Sequence, residues 1–525
     1  MISALALARL QLPATEAYLP AQEKFNQLLT QLRAPQTQQM THSQLEHLIE
    51  TQGREVLRRL LQGHLDERAP GTSTIPVKDA LDRTRTHQRT HTRQLESVFG
   101  TVAVTRTGYG GRAVESLHPL DAALNLPEER YSHMLRRRAA ETAAQTSFDE
   151  VVTTLEQTTG AQVPKRQVEQ LVQRAAQDFD AFYQNQRTQT AQAVRARGSI
   201  LVLSSDGKGV PMRRADLRPV TREAAAGREH KLAHRRSRGE KTGTKRMGTV
   251  AAVYTTEPFV RTPEEIMAEL RAEEKVPPRP RPEDKRVWAS VEHTPQEIIR
   301  QAFDEAVRRD PKQTKSWCAL VDGSRYQLNI LRLVARDYRV ELTIVLDLIH
   351  VTEYVWGAAW ALFREGDPQA EAWVRKRLLE ILRGRSSVVA AGLRRSATLR
   401  GLSKQARAPL DRCANYLLKY RDYLHYDEYL AAGLPIATGV IEGACRHLVK
   451  DRMELTGARW GLQGAEAVLR LRSLRSSADF DEYWEFHLQR EYQRHHTQHY
   501  AEGKVPMLQS EAVAAGKGMH LQLVK

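Results

Sequence analysis

Three aspartates each follow a short apolar run, a position from which carboxylates can bind metal ions. Asp206 ends "GSILVLSSD", Asp322 ends "SWCALVD" and Asp347 ends "VELTIVLD". Val/Ile/Leu runs of this length are typical of strands in a sheet that is covered on both faces. Open α/β sheets bind ligands at the carboxyl ends of their strands, so the three carboxylates form a candidate site. For any one of them, a turn or a helix N-cap is the alternative interpretation.

A shared metal site is the chemistry that this pattern favours. Neighbouring strands lie about 4.8 Å apart, so carboxylates at adjacent strand ends can reach common ions. Two Mg²⁺ or Mn²⁺ ions, which prefer carboxylate and water ligands, can activate an attacking oxygen and stabilise a leaving oxygen in phosphoryl transfer. Glu442, on a helix predicted in "ATGVIEGACRHLVK", would supply a third ligand. Spacing alone leaves this a hypothesis, because the chain has 63 acidic residues.

The elements that would position these residues form a mixed α+β pattern. The strand before Asp206 is followed by "MGTVAAVYTTEP", predicted to pair with it as an antiparallel hairpin, and by a third strand in "RVWASVE". A helix, the Asp322 strand, a second helix and the Asp347 strand follow, which gives the order β-β-β-α-β-α-β. The predicted boundaries are 191–350 for the first part of this core, 351–435 for an all-α insertion and 436–490 for the last helices of the core.

The N-terminal part is predicted to be helical up to residue 82 and to bind DNA between 83 and 190. "RTRTHQRTHTR" places Arg or His on every second position, which forms one cationic face in an extended segment, and "SVFGTVAVTRTGYGG" continues as a small β element. Such a face suits phosphate contacts, although a solvated edge strand is the alternative. Residues 147–176 have the outline of a helix-turn-helix whose second helix could enter a major groove, although two helices that merely pack together are equally compatible.

The composition favours a polyanionic partner. The 525-residue chain has 79 Lys and Arg against 63 Asp and Glu, a formal charge of +16 and a pI near 9.7. Nucleic acid is therefore the expected partner. The candidate DNA-contacting residues are Lys165, Arg166, Gln167, Arg235, Arg236, Arg238, Lys245, Arg246, Arg452 and Arg459.

Cysteine usage and hydropathy indicate a reducing, aqueous compartment. Three widely spaced cysteines support neither a disulfide framework nor a cysteine-based zinc site. The apolar runs are too short for a signal peptide or a membrane span, which predicts an intracellular protein without a membrane partner. The basic, His-rich C-terminal tail, 491–525, is expected to be unpacked.

The order of elements, with Asp at the first and fourth strands, a helical insertion and a late Glu, resembles the RNase H-like core of DDE transposases. Five blocks are similar to insertion-sequence transposases of the ISKra type, which are related to mutator-like transposases. The blocks are "SSDGKGVPMR", "KRMGTVAAVYTTEPFVRTPEE", "VDGSRYQLNIL", "LDLIHVTEYVWGAAWALF" and "GVIEGACRHLVKDRMELTGARWGLQGAEAVLRLRSLRSS". The resemblance covers about residues 98 to 490. It implies that Asp206, Asp322 and Glu442 are the catalytic metal ligands.

Strand spacing and the family resemblance predict different roles for Asp347. On spacing alone it is as good a ligand as Asp322, because both end apolar strands. The resemblance instead makes Asp347 and His350 the Asp-x-x-His signature of related groups. At the start of a helix the two side chains could face the same side, where the carboxylate would orient the imidazole.

The resemblance implies a DNA transposase that hydrolyses a phosphodiester at the element's end and joins the freed 3′-hydroxyl to target DNA, with two Mg²⁺ or Mn²⁺ ions as cofactors. Its partners would be double-stranded DNA, as terminal inverted repeats and as target, and further copies of itself in a homodimer or higher oligomer. A cytoplasmic, nucleoid-associated location in a prokaryote would follow. The alternatives are an RNase H-like nuclease or junction resolvase, and a non-catalytic DNA-binding protein derived from a transposase.

Overall fold

The computed structural model describes residues 16–112, 114–188, 198–226, 243–270, 278–455 and 457–509. The chain divides into two units, the first formed by residues 1–178 and 481–525 and the second by residues 179–480. Both contain helices and a sheet, so the fold is mixed α and β, as predicted. In the described part of the chain, no helix combines the length and apolar character that a bilayer crossing requires.

The first unit contains a three-stranded antiparallel sheet in the order β1-β2-β3. Its strands are β1 (His87–Ser97), β2 (Gly100–Gly111) and β3 (Val114–Leu117). Its helices are α1 (Leu19–Arg33), α2 (Pro35–Gln38), α3 (His42–Arg68), α4 (Pro119–Ala123), α5 (His133–Ala143), α6 (Phe148–Thr159) and α7 (Lys165–Ala175). The small β element and the two helices of the predicted helix-turn-helix are therefore present. Ser147 accepts a hydrogen bond from the Glu150 amide and caps α6, and Gly160 ends it with a φ of 72°.

The C-terminal residues complete the core of this unit. Leu65 of α3, Leu95 of β1 and Val102 of β2 form a buried cluster together with Leu508. The prediction of an unpacked tail is wrong for residues 491–509, because Leu508 is fully buried there. Residues 510–525 lie outside the described residues.

The second unit is built on a five-stranded sheet in the order β6-β5-β4-β7-β8. Its strands are β4 (Ile200–Pro211), β5 (Lys245–Thr256), β6 (Glu283–Ser290), β7 (Ser316–Val321) and β8 (Leu342–Leu346). β5 runs antiparallel to both β4 and β6, whereas β7 is parallel to β4 and to β8. The predicted hairpin and third strand are therefore confirmed. Burial is continuous in β4 from Ile200 to Ser205, in β5 from Gly248 onwards and in β7 from Trp317 onwards, which explains the apolar runs of these strands.

The helices of the second unit surround this sheet and then continue without a strand among the residues that can be described. They are α8 (Phe179–Thr188), α9 (Pro219–Ala226), α10 (Pro263–Leu270), α11 (Pro295–Arg309), α12 (Arg325–Tyr338), α13 (Leu348–Ala359), α14 (Pro368–Leu382), α15 (Ser386–Leu399), α16 (Lys404–Lys419), α17 (Tyr426–Ala431), α18 (Gly439–Ala444), α19 (Asp451–Met453) and α20 (Leu462–Ser476). A π-helical turn, Cys445–Lys450, joins α18 to α19. A last helix, α21 (Phe480–His495), leads into the C-terminal residues of the first unit.

Candidate active site

The sheet register brings the three predicted aspartates into one row. The ladder between β4 and β7 has a constant offset of 320 − 204 = 116 residues, and that between β7 and β8 has an offset of 346 − 321 = 25 residues. Continuing these offsets places Asp206 level with Asp322, and Asp322 level with Asp347. Because neighbouring strands are about 4.8 Å apart, the three residues lie side by side where the parallel strands end. In this row Asp322 lies between the other two aspartates, whereas Asp347 is two strands away from Asp206.

Asp206 does not end its strand, contrary to the prediction. β4 continues to Pro211, and Asp206 is paired with Val250 of β5. On the other side of β4, the ladder with β7 stops at Ser204, two residues earlier. Asp206 therefore lies on the flank of β4 that becomes open where β7 ends.

The hydrogen bonds of Asp206 and Asp322 leave lone pairs for a further ligand. Asp206 accepts from the Gly207 amide through Oδ1 (2.6 Å) and from the Cys445 thiol, a weak donor, through Oδ2 (3.2 Å). Asp322 accepts from the Ser324 amide through Oδ1 (2.9 Å). Within the described residues its Oδ2 accepts no hydrogen bond. Both carboxylates are partly exposed, so a solvated ion can approach them.

Asp347 has a structural role at the end of β8. It is 4% exposed, and its Oδ1 accepts from the backbone amides of Ile349 (3.3 Å) and Thr438 (3.1 Å). The first bond caps α13. The second fastens β8 to the segment that enters α18, the helix of Glu442. Asp347 therefore positions the helix that carries the third predicted ligand.

His350 is not oriented by Asp347, contrary to the prediction. Its Nδ1 lies 3.3 Å from Oε2 of Glu353, three residues further along α13. The reason is that Asp347 is the N-cap, and its Oδ1 is directed at backbone amides rather than at the side-chain face of the helix. Asp347 and His350 consequently have separate roles.

Glu442 is a carboxylate among other carboxylates. Local desolvation, followed by the charges of Asp347, Glu353 and Asp206, raises the pKa of Glu442 above its ordinary value, and Lys208 acts in the opposite direction. No described residue donates a hydrogen bond to the Glu442 carboxylate. Repulsion of this kind is relieved when a cation binds, so the electrostatics of the site favour a positive ligand.

Two side chains beside these carboxylates were not among the predicted site residues. Lys208 follows Asp206 by two residues and so shares its strand face, and Cys445 follows Glu442 by three residues, about one helical turn. Burial, reinforced by Asp206, raises the pKa of the Cys445 thiol, which therefore stays protonated and donates to Asp206. The sequence signals for these residues are a spacing of two residues on a strand for Lys208 and a spacing of three residues on a helix for Cys445.

Three tyrosine hydroxyls from α16, α17 and the turn between these helices bind the backbone at the ends of β7 and β8. Each hydroxyl donates to a backbone carbonyl: Tyr416 to Asp322 (3.3 Å), Tyr420 to Gly323 and Tyr426 to Leu346 (2.8 Å). Gly323 has a φ of +94°, a conformation that favours glycine, and an added Cβ would lie 3.2 Å from the Tyr416 hydroxyl. The helical segment thus fixes the backbone on both sides of the aspartate row.

The donors around this row suit a hard divalent cation, although they do not form a closed coordination shell. Their oxygen chemistry is the type that Mg²⁺ and Mn²⁺ prefer. Among the described residues, the buried hydroxyls of Ser204 and Ser205, just before Asp206, have no hydrogen-bond partner. However, ligand atoms of Asp206, Asp322 and Glu442 do not all lie within 4.8 Å of one another. Binding of a metal ion would therefore draw these carboxylates together.

A tighter acidic group occurs in the first unit. Asp178, His487 and Glu491 are buried, and each offers a ligand atom within 4.8 Å of the others. Arg136 donates to Glu491 (2.5 Å) and to His487 Nε2 (3.1 Å). Arg494 donates to Asp178 (2.5 Å), which also accepts from His487 Nδ1 (2.8 Å). The group is therefore a buried ion-pair network, and a metal ion would have to displace two arginines from it.

The predicted recognition helix presents polar side chains at the surface. Lys165 begins α7 and forms an exposed ion pair with Asp149 (2.7 Å), and Arg166 is exposed beside it. Gln167 is partly exposed, whereas the opposite side of α7 is buried at positions such as Val168. The arrangement leaves the polar face of α7 accessible.

Two of the predicted DNA-contacting arginines have structural partners instead. Arg246 donates to the carbonyls of Val291 (2.8 Å) and Asp216 (3.2 Å). Arg452 is 3% exposed and lies over the ring of Trp460, 4.7 Å from its centroid. The prediction of surface contacts is wrong for Arg452, because its guanidinium is used inside the fold.

The remaining basic candidates differ in exposure. Lys245 forms an ion pair with Glu454 (2.6 Å), and Arg459 is exposed. Arg235, Arg236 and Arg238 lie outside the described residues.

Part of the cationic face predicted for residues 83–93 is used in contacts within the first unit. Arg85 pairs with Asp79 (2.8 Å) and Arg93 donates to the Pro127 carbonyl (2.6 Å), while Arg89 stays exposed.

Comparison of the chain with models of known protein families finds no match, and comparison with curated proteins also finds none.

Proposed function

We propose that the second unit is an RNase H-like catalytic domain and that the protein is a DNA transposase. The observation that carries this proposal is the row of Asp206, Asp322 and Asp347 across three adjacent strands, with Glu442 held beside it. The element order β-β-β-α-β-α-β, followed by a helical segment and a late acidic helix, is the order that the resemblance implies.

Asp206, Asp322 and Glu442 would hold two Mg²⁺ or Mn²⁺ ions, which supply activation of the attacking oxygen and stabilisation of the leaving oxygen in phosphodiester chemistry. The protein's own residues prepare the site. Asp347 fixes the start of α18, the tyrosine hydroxyls fix the ends of β7 and β8, and Lys208 favours the ionised form of Glu442. Substrate DNA would supply the phosphate, and water or a 3′-hydroxyl would be the nucleophile.

Double-stranded DNA is the proposed partner. The formal charge of +16 supports a polyanionic substrate, and the accessible polar face of α7 supports contacts in a major groove. The terminal inverted repeats of an insertion sequence and the target DNA would be bound by a homodimer or higher oligomer in the cytoplasm of a prokaryote. Replacing Lys165, Arg166 and Gln167 together should reduce the preference for element ends over random DNA, measured by competition binding.

An RNase H-like nuclease or junction resolvase would use the same carboxylates without joining DNA ends. The row of aspartates does not distinguish the two reactions, but the long helical segment that braces β7 and β8 favours the transposase that the sequence resembles. A non-catalytic derivative is disfavoured, because the acidic side chains keep lone pairs available and remain mutually repulsive without a cation.

The experiment that tests the proposal is a cleavage and strand-transfer assay on DNA that contains the element's ends. Wild-type protein should cleave and join with Mg²⁺ or Mn²⁺ and do neither in EDTA. Asp206→Ala and Glu442→Ala should lose both steps while still binding the ends, because the lost groups hold metal rather than phosphate. Asp337→Ala, at an exposed acid of α12 paired with Arg300, is the matched control and should stay active. Cleavage without joining would favour the nuclease, and full strand transfer by a protein that carries both Asp206→Ala and Glu442→Ala would refute the metal site.

A further inference from the structure

A basic site lined by residues other than those of the aspartate row lies in the 179–480 unit. It is a cavity of about 610 Å³ next to β6 and the C-terminal end of α11. Four basic and three acidic side chains line it, a net charge of 4 − 3 = +1. The basic residues are Lys285, Arg286, Arg308 and Arg309, and the acidic residues are Asp284, Glu305 and Asp479. A ligand that enters it meets an excess of positive charge.

One buried carboxylate serves three guanidinium groups at this site. Glu305 is 1% exposed and accepts hydrogen bonds from all three, from Arg286 Nη1 (2.9 Å), Arg308 Nη2 (2.7 Å) and Arg309 Nε (2.6 Å). The other carboxylate of the inner wall, Asp479, accepts from the Tyr183 hydroxyl (2.7 Å). Three arginines and one shared glutamate leave a local excess that Asp479 offsets only in part.

Two of these guanidinium groups, those of Arg286 and Arg309, also have nitrogens that find no acceptor among the described residues. The Arg309 side chain is 3% exposed, and among the described residues neither of its terminal nitrogens has an acceptor; Nη1 is fully buried. The Arg286 side chain is 6% exposed and is stacked on Tyr183, 3.5 Å from the ring centroid, which fixes its plane while Nε stays without an acceptor. Burial, followed by Arg308 and Arg286, lowers the pKa of Arg309 despite the opposing effect of Glu305. Buried donors without acceptors are destabilising, so the site is incomplete without an anion.

We propose that this cavity binds a phosphate group through Arg286, Arg308 and Arg309. Planar guanidinium forks match phosphate oxygens, and three of them around one position suit a tetrahedral oxyanion better than a planar carboxylate. The phosphate can come from a free phosphate or from a DNA backbone, which offer the same chemistry. The proposal does not depend on the transposase reaction, because none of these arginines belongs to the aspartate row.

The test is a calorimetric titration of the full-length protein with inorganic phosphate, at constant ionic strength maintained with chloride. Wild-type protein should bind phosphate saturably, and Arg309→Met should bind it at least about tenfold more weakly, the effect of losing one hydrogen bond to a charged group. Arg308→Gln, at a side chain that is 21% exposed, is a second variant with the same expectation. Arg300→Met is the matched control, since Arg300 lies on the same helix, is 39% exposed and is absent from the cavity wall.

Thermal unfolding without phosphate separates a binding role from a structural one. Arg309→Met removes one charge of the local positive excess and one partner of Glu305, which keeps Arg286 and Arg308; its stability without phosphate should therefore stay close to that of wild-type protein, and it should lose the stabilisation that phosphate gives to wild-type protein. A purely structural arginine would instead make the variant less stable, and phosphate would stabilise neither protein; that result would overturn the proposal.

A duplex oligonucleotide identifies the source of the phosphate. If phosphate competes with the duplex and Arg309→Met weakens both, the ligand is a backbone phosphate. If only inorganic phosphate is affected, the ligand is a small phosphate compound. Phosphate binding that is equal in wild-type, Arg309→Met and Arg308→Gln proteins would show that the cavity is not a phosphate site.

Discussion

Replacing Asp347 with alanine removes two hydrogen bonds from the end of β8. The lost cap of α13 costs about 1 kcal/mol, and the Thr438 amide, left without its acceptor in a buried position, costs about 1–3 kcal/mol more. We therefore expect Asp347→Ala to lower the free energy of unfolding of the second unit by about 2–4 kcal/mol. Asp347→Asn keeps an acceptor oxygen, so its cost should stay below about 1 kcal/mol.

Asp322→Ala is the matched comparison for this prediction. The carboxylate of Asp322 accepts one hydrogen bond, from the Ser324 amide (2.9 Å), and is partly exposed, so its loss should cost about 0.5–1.5 kcal/mol. Urea denaturation followed by tryptophan fluorescence suits the measurement, because Trp484 alone of the seven tryptophans lies outside residues 179–480. Equal costs for the two alanine variants, or a larger cost for Asp322→Ala, would refute the structural role of Asp347.

Activity should rank the same two positions in the opposite order. Asp322→Asn is expected to be inactive at any metal concentration, because it removes a proposed metal ligand. Asp347→Asn keeps an acceptor for the Thr438 amide and should stay active, with a loss of at most about 10–100-fold, the usual effect of disturbing a group that positions a ligand. If Asp347→Asn is inactive and Asp322→Asn is not, the two assignments must be exchanged.

Two further predictions concern pH and the basic residues. Burial lowers the pKa of His118 and of His133 to about 3, so both are neutral in the folded protein. The free energy of unfolding should therefore fall as pH decreases from about 6.5 towards 3, by about 1.4 kcal/mol per pH unit for each histidine. Urea denaturation at pH 7 and pH 5 would show this, and a pH-independent midpoint would contradict it. Arg452→Ala should lower stability because the side chain is buried against the Trp460 indole, whereas Arg459→Ala should weaken DNA binding without changing stability. Thermal unfolding and filter binding of both variants would test this distinction. Equal behaviour of the two variants in both assays would contradict it.

The strands of the second unit could be predicted because each carries its own local signal. Runs such as "SWCALV" are apolar along their whole length since both faces are buried, and the aspartates that follow mark the end of the parallel ladder. The signals for the two helices of the predicted helix-turn-helix were equally local, because Ser147 and Gly160 set the ends of α6 and Pro164 stands directly before α7. Patterns within about ten residues of each other were sufficient for these elements.

Contacts between distant residues account for what could not be predicted. Asp347 and Asp322 both follow apolar strands, and their roles differ because the amide of Thr438, 91 residues away, reaches only Asp347. The burial of Arg452 depends on Trp460, eight residues later, and the packing of the tail depends on Leu508 entering a core that includes Leu65, 443 positions earlier. Neither spacing nor composition contains that information.

Iron-mediated hydroxyl-radical cleavage of the protein backbone tests the proposed metal site most directly. Fe²⁺ that replaces Mg²⁺ at the site should cut the chain near Asp206, Asp322 and Glu442, excess Mg²⁺ should suppress the cuts, and Asp322→Asn should abolish them. Cuts near Asp178 and Glu491 instead would place the metal in the ion-pair network of the first unit and contradict the account.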